Sequence, residues 1–179
     1  VAPSRGLGDV YKRQTLKKKL ISLLKHVRKE MISLMHSLDD PMIMREIIMD
    51  HYQNPRNHGL VDDDSYQKVN MDSSTCIDDI DVQAKFNGDV VEDVRFDGEA
   101  CAICTASTSI MTELVKGKTK EEAMHIVDNY MHMIYEKEYD PELLEEAIAF
   151  KNTHKQANRI KCATLGWTGF LKLLEGSEE

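Results

Sequence analysis

The sequence predicts an α+β fold in which a small antiparallel sheet of about three strands, near the N-terminal side, packs against several helices. Two observations predict this class. Residues 79–96 alternate between apolar and polar side chains around an Asn-Gly pair, as a β-hairpin does. From residue 102 onward, apolar side chains recur at the three- and four-residue spacing of helices. Strands followed by a run of helices are typical of α+β proteins.

The N-terminal segment differs from the rest of the chain in charge and pattern. Residues 1–30 hold nine of the 23 Lys and Arg residues and only two acidic residues, although the whole chain has a net charge of −8. Residues 15–36 carry leucines at helical spacing opposite lysines and arginines, a pattern that suits a membrane-surface helix, a transit peptide or a leader. We expect residues 1–40 to be a leader or extension, non-native or disordered to helical, and residues 41–176 to form the domain.

The domain is expected to open with one helix and one strand. Pro41 is a favourable first residue for a helix over residues 42–53, and the Asn-Pro-Arg-Asn sequence at 54–57 ends that helix. Residues 66–71 are predicted to form the first strand.

The second and third strands form the predicted hairpin. A three-residue loop with a β-bulge would pair Val82 with Val94 and Ile80 with Phe96, which gives one continuous apolar face. A strict two-residue turn would instead set Val82 opposite an aspartate. The pattern therefore favours the bulged hairpin.

The remaining chain is predicted to be helical. Gly117 ends the first of these helices, and Thr119 with Glu122 forms a capping box that begins the next one. The polar segment 152–161 is interpreted as a loop. The predicted helices span residues 102–116, 119–135, 141–151 and 162–174.

Composition and charge exclude several classes of function. A net charge of −8 argues against a nucleic-acid-binding surface, and no run of about 18 apolar residues is present to span a membrane. The sequence has no signal-peptide pattern, so we expect a cytoplasmic protein. In that compartment four cysteines serve metal binding or catalysis, whereas in a secreted protein they would form disulfides.

Three of the cysteines occupy the ends of predicted elements. Cys76 precedes the hairpin, while Cys101 and Cys162 each fall at a predicted helix N-terminus, where backbone N–H groups favour a thiolate. Asp78 lies two residues after Cys76, so in an extended stretch both side chains point the same way. Three thiolates and one carboxylate would suit tetrahedral Zn²⁺ or an iron–sulfur cluster. The alternative is a set of buried, inert cysteines.

Other candidate groups carry weaker signals. Cys101 and Cys104 form a C-x-x-C pair, which could be a redox pair, but no β-α-β pattern surrounds it. Cys104 could equally pack as a small apolar residue. His51 and His58 are interpreted as surface or packing residues, with partner contact as the alternative.

Four stretches of the chain resemble a known family. The resemblance covers about residues 41–175 and points to the SufU branch of the IscU/NifU-type iron–sulfur cluster assembly proteins. The gap of 61 positions between Cys101 and Cys162 is similar to that branch, as is Lys161, where the IscU branch typically has histidine. The stretches are MDHYQNPRNHG (49–59), STCIDD (74–79), DVRFDGEACAICTASTSIMTELVKGKT (93–119) and RIKCATLGW (159–167).

The resemblance implies a zinc site and a role in sulfur transfer within the SUF system. The implied zinc ligands are Cys76, Asp78, Cys101 and Cys162. The implied partner is a PLP-dependent cysteine desulfurase of the SufS type, and Cys76 is the implied sulfur acceptor, freed from zinc when a desulfurase histidine takes its place. Arg159 matches a family arginine that could steady a thiolate or persulfide electrostatically. The protein would then be a sulfurtransferase-like accessory.

Two other functions are compatible with the same residues. The four ligands could hold an iron–sulfur cluster, in which case the protein would be a scaffold that passes the cluster to downstream acceptors. Alternatively, zinc could only stabilise a binding module. The donor set does not choose between zinc and iron.

Two positions depart from the family pattern. Ile77 stands between Cys76 and Asp78, where glycine is usual, and isoleucine resists backbone angles that glycine allows. This substitution bears directly on the geometry of the two ligands beside it. Cys104 stands where serine is usual, and it would be an oxidisable spare thiol if exposed.

Overall fold

The structure is a computed structural model that describes residues 40–176, so the prediction for the leader or extension lies outside the described residues apart from Asp40. In chain order the elements are helix α1 (Pro41–Gln53), strands β1 (Gln67–Asp72), β2 (Asp79–Asn87) and β3 (Val90–Glu99), helices α2 (Ala102–Val115) and α3 (Lys120–Ile134), 3-10 helices over Pro141–Leu143, Glu145–Phe150 and Thr153–Lys155, and helix α4 (Ala157–Gly176). The strands form one antiparallel sheet in the order β1-β2-β3. The predicted α+β class is confirmed.

The predicted register of the β2–β3 hairpin is wrong by two residues. Val82 lies opposite Phe96, where the sequence pattern predicts Val94, and Ile80 lies opposite Gly98. Because strand side chains alternate with a period of two, a slip of two residues leaves every side chain on its predicted face. Ile80, Val82 and Phe96 are accordingly all buried.

The turn and the bulge of this hairpin together explain the difference, since each shifts the register by one residue. The predicted bulge is present between Lys85 and Phe86, but the loop consists of two residues, Gly88 and Asp89, rather than three. Gly88 has a φ of +58°, a left-handed conformation that glycine adopts without steric cost. Asn87 therefore remains in the strand, and the turn falls on Gly88 and Asp89 alone.

The first three helices agree with the sequence pattern. Helix α1 begins at Pro41, α2 ends two residues before Gly117, and the capping box of α3 is formed by Thr119 and Glu122 as predicted. The segment predicted as a helix over 141–151 is instead a pair of 3-10 helices. Glu145 has a φ of +44°, which a right-handed α-helix cannot contain, so the segment breaks there.

The last helix begins earlier than predicted. Helix α4 starts at Ala157, so Cys162 lies within its second turn and does not precede it. The segment between Ala157 and Cys162 contains neither proline nor glycine, and Ile160 packs against the core. Because Ile160 supplies an apolar contact, the polar composition of the segment does not prevent it from being helical.

A buried polar network joins helices α2, α3 and α4. The Ser107 hydroxyl and the Tyr130 hydroxyl both donate to the Ala163 carbonyl oxygen, at 2.6 and 2.9 Å, and Trp167 Nε1 donates to Ser107 Oγ at 2.9 Å. The rings of Tyr130 and Trp167 stack with centroids 3.8 Å apart. Because Ala163 follows Cys162, this network fixes Cys162 relative to the helix that begins after Cys101.

Among the described helices, none combines the length and the apolar composition that a membrane crossing requires.

Candidate metal centre

The first cysteine of the candidate site lies in the connection between β1 and β2. In this connection the backbone N–H of Cys76 donates to the Ser73 carbonyl oxygen at 3.4 Å, and the N–H of Ser73 donates to the Asp78 carbonyl oxygen at 2.9 Å. The segment is therefore a turn and not the extended stretch that the sequence suggests. Cys76 is half-buried, whereas Asp78 is buried.

Ile77 does not distort the turn between these two ligands. It adopts none of the left-handed backbone angles that favour glycine. Its side chain is 70% exposed and points away from the core. An isoleucine at this position is therefore compatible with bringing Cys76 and Asp78 together, and it leaves an apolar side chain at the edge of the site.

Asp78 and Cys101 are held together by the end of the sheet. The backbone N–H of Cys101 donates to Asp78 Oδ1 at 2.7 Å, and Asp78 Oδ2 lies 3.9 Å from the Cys101 sulfur. Gly98, three residues before Cys101, has a φ of +130°, and a Cβ there would lie 2.3 Å from the Asp79 carbonyl oxygen. Gly98 therefore allows β3 to approach β2 closely beside the site.

The third cysteine reaches the site from helix α4. Cys162 is buried, and its sulfur lies 3.9 Å from the Asn158 carbonyl oxygen one turn earlier in the helix. The prediction that Cys162 occupies a helix N-terminus is wrong, because α4 extends five residues further toward the N-terminus. Cys101 does occupy the predicted position and is the N-cap residue of α2.

The structure brings all four predicted ligands together. The sulfurs of Cys76, Cys101 and Cys162 and a carboxylate oxygen of Asp78 all lie within 4.8 Å of one another. All four cysteines of the chain are free of disulfides. Three sulfur donors and one oxygen donor in a compact group fit a tetrahedral ion such as Zn²⁺, so this group could hold a metal ion.

Electrostatics at the site favour a cation. Burial raises the pKa of the Cys101 thiol, and the neighbouring Asp78 charge raises it further, while the N–H groups of Cys104 and Ile103 only partly oppose this. Burial also raises the pKa of Cys162, as do Asp78, Cys76 and Cys101 around it. The N–H groups at the start of α2 thus favour the Cys101 thiolate as predicted, but burial and the Asp78 charge outweigh them. A divalent cation would supply the missing positive charge.

Arg159 lies on helix α4, one turn before Cys162, and is half-buried. It lines a groove of about 390 Å³ together with Ala102 and Ile103, the two residues that follow Cys101. Arg159 thus lies on the side of the site where Cys101 begins helix α2. Its role in supporting a thiolate or persulfide stays a prediction.

Cys104 takes no part in the group of four ligands. It is fully buried, packs in the main hydrophobic cluster, and burial raises the pKa of its thiol far above the ordinary range. A buried, protonated thiol is a poor nucleophile. The packing interpretation of Cys104 is therefore favoured over the redox-pair interpretation. Cys104 would be an oxidisable spare thiol only if it were exposed, and it is buried.

Two positioning residues were missed from the sequence. Gly98 lies just beyond the predicted hairpin, which ends at residue 96, whereas β3 continues to Glu99. A glycine inside a strand signals a close backbone approach. Ser107 gave no signal, because a serine in an apolar helix face has no pattern that reveals its partners on two other helices.

The chain matches the family model described as the NifU-like N-terminal domain over residues 43–163. It is 43% identical over 131 residues to the zinc-dependent sulfurtransferase SufU of Bacillus subtilis, an alignment that covers 73% of this chain and 88% of that protein. It is 36% identical over 132 residues to the iron–sulfur cluster assembly scaffold protein IscU of Streptococcus pyogenes, covering 73% of this chain and 82% of the relative.

A solved structure gives the same result for the fold. The crystal structure of a putative iron–sulfur cluster assembly scaffold protein for the SUF system from Fervidobacterium islandicum superposes with a TM-score of 0.64 at 32% identity. The superposition covers 78% of this chain and 96% of that chain. A NifU-like N-terminal protein from Brucella abortus, at 20% identity and a TM-score of 0.67, shares the fold.

Proposed function

This chain belongs to the family of NifU-like N-terminal domains of iron–sulfur cluster assembly, and from that premise we propose that it is a zinc-dependent sulfur acceptor. In this proposal it takes persulfide sulfur from a SufS-type, PLP-dependent cysteine desulfurase in the cytoplasm. The observation that carries the proposal is the convergence of Cys76, Asp78, Cys101 and Cys162, whose ligand atoms all lie within 4.8 Å of one another.

The four residues have different duties in this proposal. Zn²⁺ bound by them would hold the thiols as thiolates and would bring no redox chemistry of its own. Asp78 is fixed by the Cys101 N–H, and Cys162 is buried inside a helix, so both are suited to remain in place. Cys76 is half-buried and comes from an interstrand turn, so it is the thiol best placed to meet a partner.

The sulfur-transfer step is a thiol–disulfide-type exchange at Cys76. The Cys76 thiolate attacks the outer sulfur of the desulfurase persulfide, and a new S–S bond forms at Cys76 Sγ. The S–S bond of the partner breaks, and the partner cysteine leaves as a thiolate. The proton of the transferred sulfur moves with it, so the step needs neither an oxidant nor a reductant.

Two further residues would serve the partner and its persulfide. Arg159 is proposed to steady the thiolate or persulfide electrostatically, because it lies in the groove that begins beside Cys101. Ile77 offers an exposed apolar side chain between two ligands, which a docked partner would remove from water.

The test is a desulfurase assay with and without this protein, in which alanine production from cysteine is measured. Cys76→Ala is expected to abolish stimulation while the circular dichroism spectrum stays unchanged. Cys104→Ser is the matched control, because Cys104 is a cysteine outside the ligand group, and it should retain stimulation. Full stimulation by Cys76→Ala would reject the acceptor role.

A second candidate function is a scaffold for iron–sulfur cluster assembly. It is favoured by the similarity to a relative named as such a scaffold and by the same four donors, which could hold a [2Fe–2S] cluster for downstream acceptors. Anaerobic loading with iron and sulfide distinguishes the two functions. A stable visible absorbance that Cys101→Ser removes would support the scaffold. Zinc content without cluster formation or stimulation would indicate a zinc-stabilised binding module.

The functional unit is proposed to be residues 41–176. The support is that α1 through α4 share one hydrophobic cluster with the sheet. Removal of residues 1–40 should leave desulfurase stimulation unchanged, and loss of stimulation would assign a role to that segment.

A further inference from the structure

A buried histidine lies away from the cysteine site, between three elements. His51 on α1 is only 1% exposed, and its ring is held at both nitrogens. Nδ1 lies 2.8 Å from the hydroxyl oxygen of Ser109 on α2, and Nε2 lies 2.9 Å from Oε2 of Glu146 on the second 3-10 helix. The ring orientation is therefore fixed, and Nε2 faces an acidic side chain.

A second carboxylate joins this histidine. Glu113 lies one turn after Ser109 on α2, and ligand atoms of His51, Glu113 and Glu146 all lie within 4.8 Å of one another. The two glutamate side chains are about half exposed, at 50% and 54%. The cluster thus has a buried imidazole at its base and two carboxylates that open to solvent.

Arg56 compensates the charge of these glutamates only weakly. Arg56 Nε lies 4.0 Å from Glu113, at the limit of an ion pair, while another nitrogen of the same guanidinium lies 2.5 Å from Asp50. Glu113 and Glu146 are therefore two like charges brought close together. Such a pair is unfavourable unless a cation or a proton lies between them.

We propose that His51, Glu113 and Glu146 form a second metal site, which takes a first-row divalent ion such as Mn²⁺. One imidazole and two carboxylates are a donor set that suits such ions and leaves positions for water. In an octahedral complex with bonds of about 2.1 Å, neighbouring donors lie roughly 3 Å apart and opposite donors about 4.2 Å apart. The ligand atoms lie within 4.8 Å of one another, and the half-exposed glutamates can bring them to these bonding distances by rotating their side chains.

Ser109 has a positioning role in this site. When its hydroxyl oxygen accepts the Nδ1–H of His51, the lone pair of Nε2 is left free for the ion. Ser109 Oγ also accepts the backbone N–H of Arg56 at 2.8 Å, which fixes the hydroxyl from the other side. A histidine ligand whose second nitrogen donates to a fixed acceptor is the usual arrangement around protein-bound metals.

This site is separate from the cysteine group. Ser109 and Glu113 follow Cys101 by eight and twelve residues along helix α2, which corresponds to about 12 and 18 Å of helix length. Its ligands are nitrogen and oxygen, whereas the first site is rich in sulfur. The two sites should therefore differ in metal preference, with Zn²⁺ held by the thiols and a harder ion at His51.

The test is a titration of the full chain, purified with one zinc bound, with Mn²⁺ as the probe. Electron paramagnetic resonance measures free Mn²⁺, and one further equivalent per chain is expected to bind without release of zinc. Glu113→Gln and Glu146→Gln should each weaken Mn²⁺ binding about tenfold or more, since even indirect supporting residues contribute 10- to 100-fold. The thermal midpoint should rise with Mn²⁺ concentration in the parent chain, and it should rise much less at the same concentrations in Glu113→Gln and Glu146→Gln.

Glu145→Gln is the matched control, because it removes the same charge from the neighbouring exposed position. It should leave Mn²⁺ affinity within about twofold of the parent, since an exposed charge outside the ligand set acts only through a screened field. The proposal is overturned if no second equivalent binds, if both glutamine variants bind as the parent does, or if Glu145→Gln weakens binding as strongly as they do. Release of zinc in step with Mn²⁺ uptake would also overturn it, because Mn²⁺ would then occupy the cysteine site.

Discussion

The backbone N–H of Cys101 donates a 2.7 Å hydrogen bond to Oδ1 of Asp78, across 23 residues of sequence. This bond leaves Oδ2 of the same carboxylate facing the sulfurs. One side chain thus fixes the start of helix α2 and supplies a donor to the candidate metal centre. The two duties can be separated by substitution.

Asp78→Asn and Asp78→Ala are expected to differ in stability but not in zinc binding. Asparagine keeps an oxygen that can accept the Cys101 N–H, whereas alanine leaves that N–H without a partner, at a cost of about 1–3 kcal/mol. Both variants remove the anionic donor, so both should hold zinc more weakly. Urea unfolding with a chelator present measures stability, and competition with a coloured chelator measures zinc affinity. Equal unfolding free energies for the two variants would show that the bond contributes nothing.

The thiols should differ in reactivity according to burial. With zinc removed by a chelator, iodoacetamide is expected to modify Cys76 and Cys101, which are half-buried, before Cys162 and Cys104, which are buried. Mass spectrometry of tryptic peptides over time gives the order. The same reaction in denaturant is the control, because all four thiols should then react at similar rates. Early modification of Cys104 in the native protein would contradict its place in the core.

Much of the fold follows from local sequence patterns. The alternation of Ile80, Val82 and Ala84 indicates which face of β2 is buried, and this part of the prediction survives a register error of two residues. The register itself depends on Gly88, since either residue of an Asn-Gly pair could take the left-handed angle. Periodicity cannot decide between these two turns.

The site was harder to predict from residue patterns than the fold. The resemblance implied the four ligands of the candidate centre. The position of Cys162 inside α4 was not predicted, because the start of that helix depends on Ile160 packing against the core, which no local rule indicates. For His51 the sequence indicates only a surface or packing role, or partner contact, and no local pattern connects it to a carboxylate. Its partners Ser109 and Glu146 lie 58 and 95 residues away, so only the tertiary structure shows the cluster.

Asp93 should make stability depend on pH. Burial raises its pKa, but hydrogen bonds from Lys116, Tyr66 and Arg95 lower it more, so the net pKa lies below the usual 3.8. Lys116 Nζ lies 2.5 Å from Oδ1 and compensates its charge, while Tyr66 and Arg95 donate to Oδ2. A lowered carboxyl pKa contributes stability above the unfolded value of about 3.9, and this stability is lost as pH falls through the folded pKa.

Asp93→Asn is accordingly expected to cost about 1–2 kcal/mol at pH 7, and the difference from the parent should shrink below about pH 4. Urea unfolding at several pH values measures it. Glu92→Gln is the control, because its ion pair with Lys85 is partly exposed and surface pairs contribute about 0–1 kcal/mol. A cost of Asp93→Asn that stays constant down to pH 2 would contradict the assigned role of the charge.

Gly166 on α4 packs closely against Thr108 on α2. A Cβ at Gly166 would lie 2.2 Å from the Thr108 hydroxyl oxygen and 2.8 Å from Thr108 Cβ. Gly166→Ala should therefore destabilise the protein by about 1–3 kcal/mol, despite the higher helix propensity of alanine. Gly176→Ala, in the same helix, should be neutral or slightly stabilising, because a Cβ there would meet no other element of residues 40–176 within 4 Å.

Adding Thr108→Ala to Gly166→Ala should recover part of that loss. Thr108 Oγ1 is buried and has no hydrogen-bond partner of standard geometry among residues 40–176, so its removal should cost little and opens space for the new methyl group. Thermal or urea unfolding of the two single variants and the double variant gives the coupling free energy. If the changes in unfolding free energy of the two single variants simply add in the double variant, the helices move apart in Gly166→Ala and the methyl group does not clash with Thr108.

Ile77→Gly is expected to leave the metal centre intact. Ile77 adopts no left-handed backbone angle and is 70% exposed, so glycine neither relieves strain nor removes a core contact. Zinc content should stay at the level of the parent, and stability should fall by only about 0.5–1 kcal/mol, because glycine gains freedom in the unfolded chain. Elemental analysis and urea unfolding measure the two quantities. Ile77→Asp also keeps the zinc ligands but places a charge at the edge of the site. It should therefore weaken desulfurase stimulation more than Ile77→Gly does. If Ile77→Gly instead bound zinc more tightly than the parent, the turn between Cys76 and Asp78 would be strained by isoleucine after all.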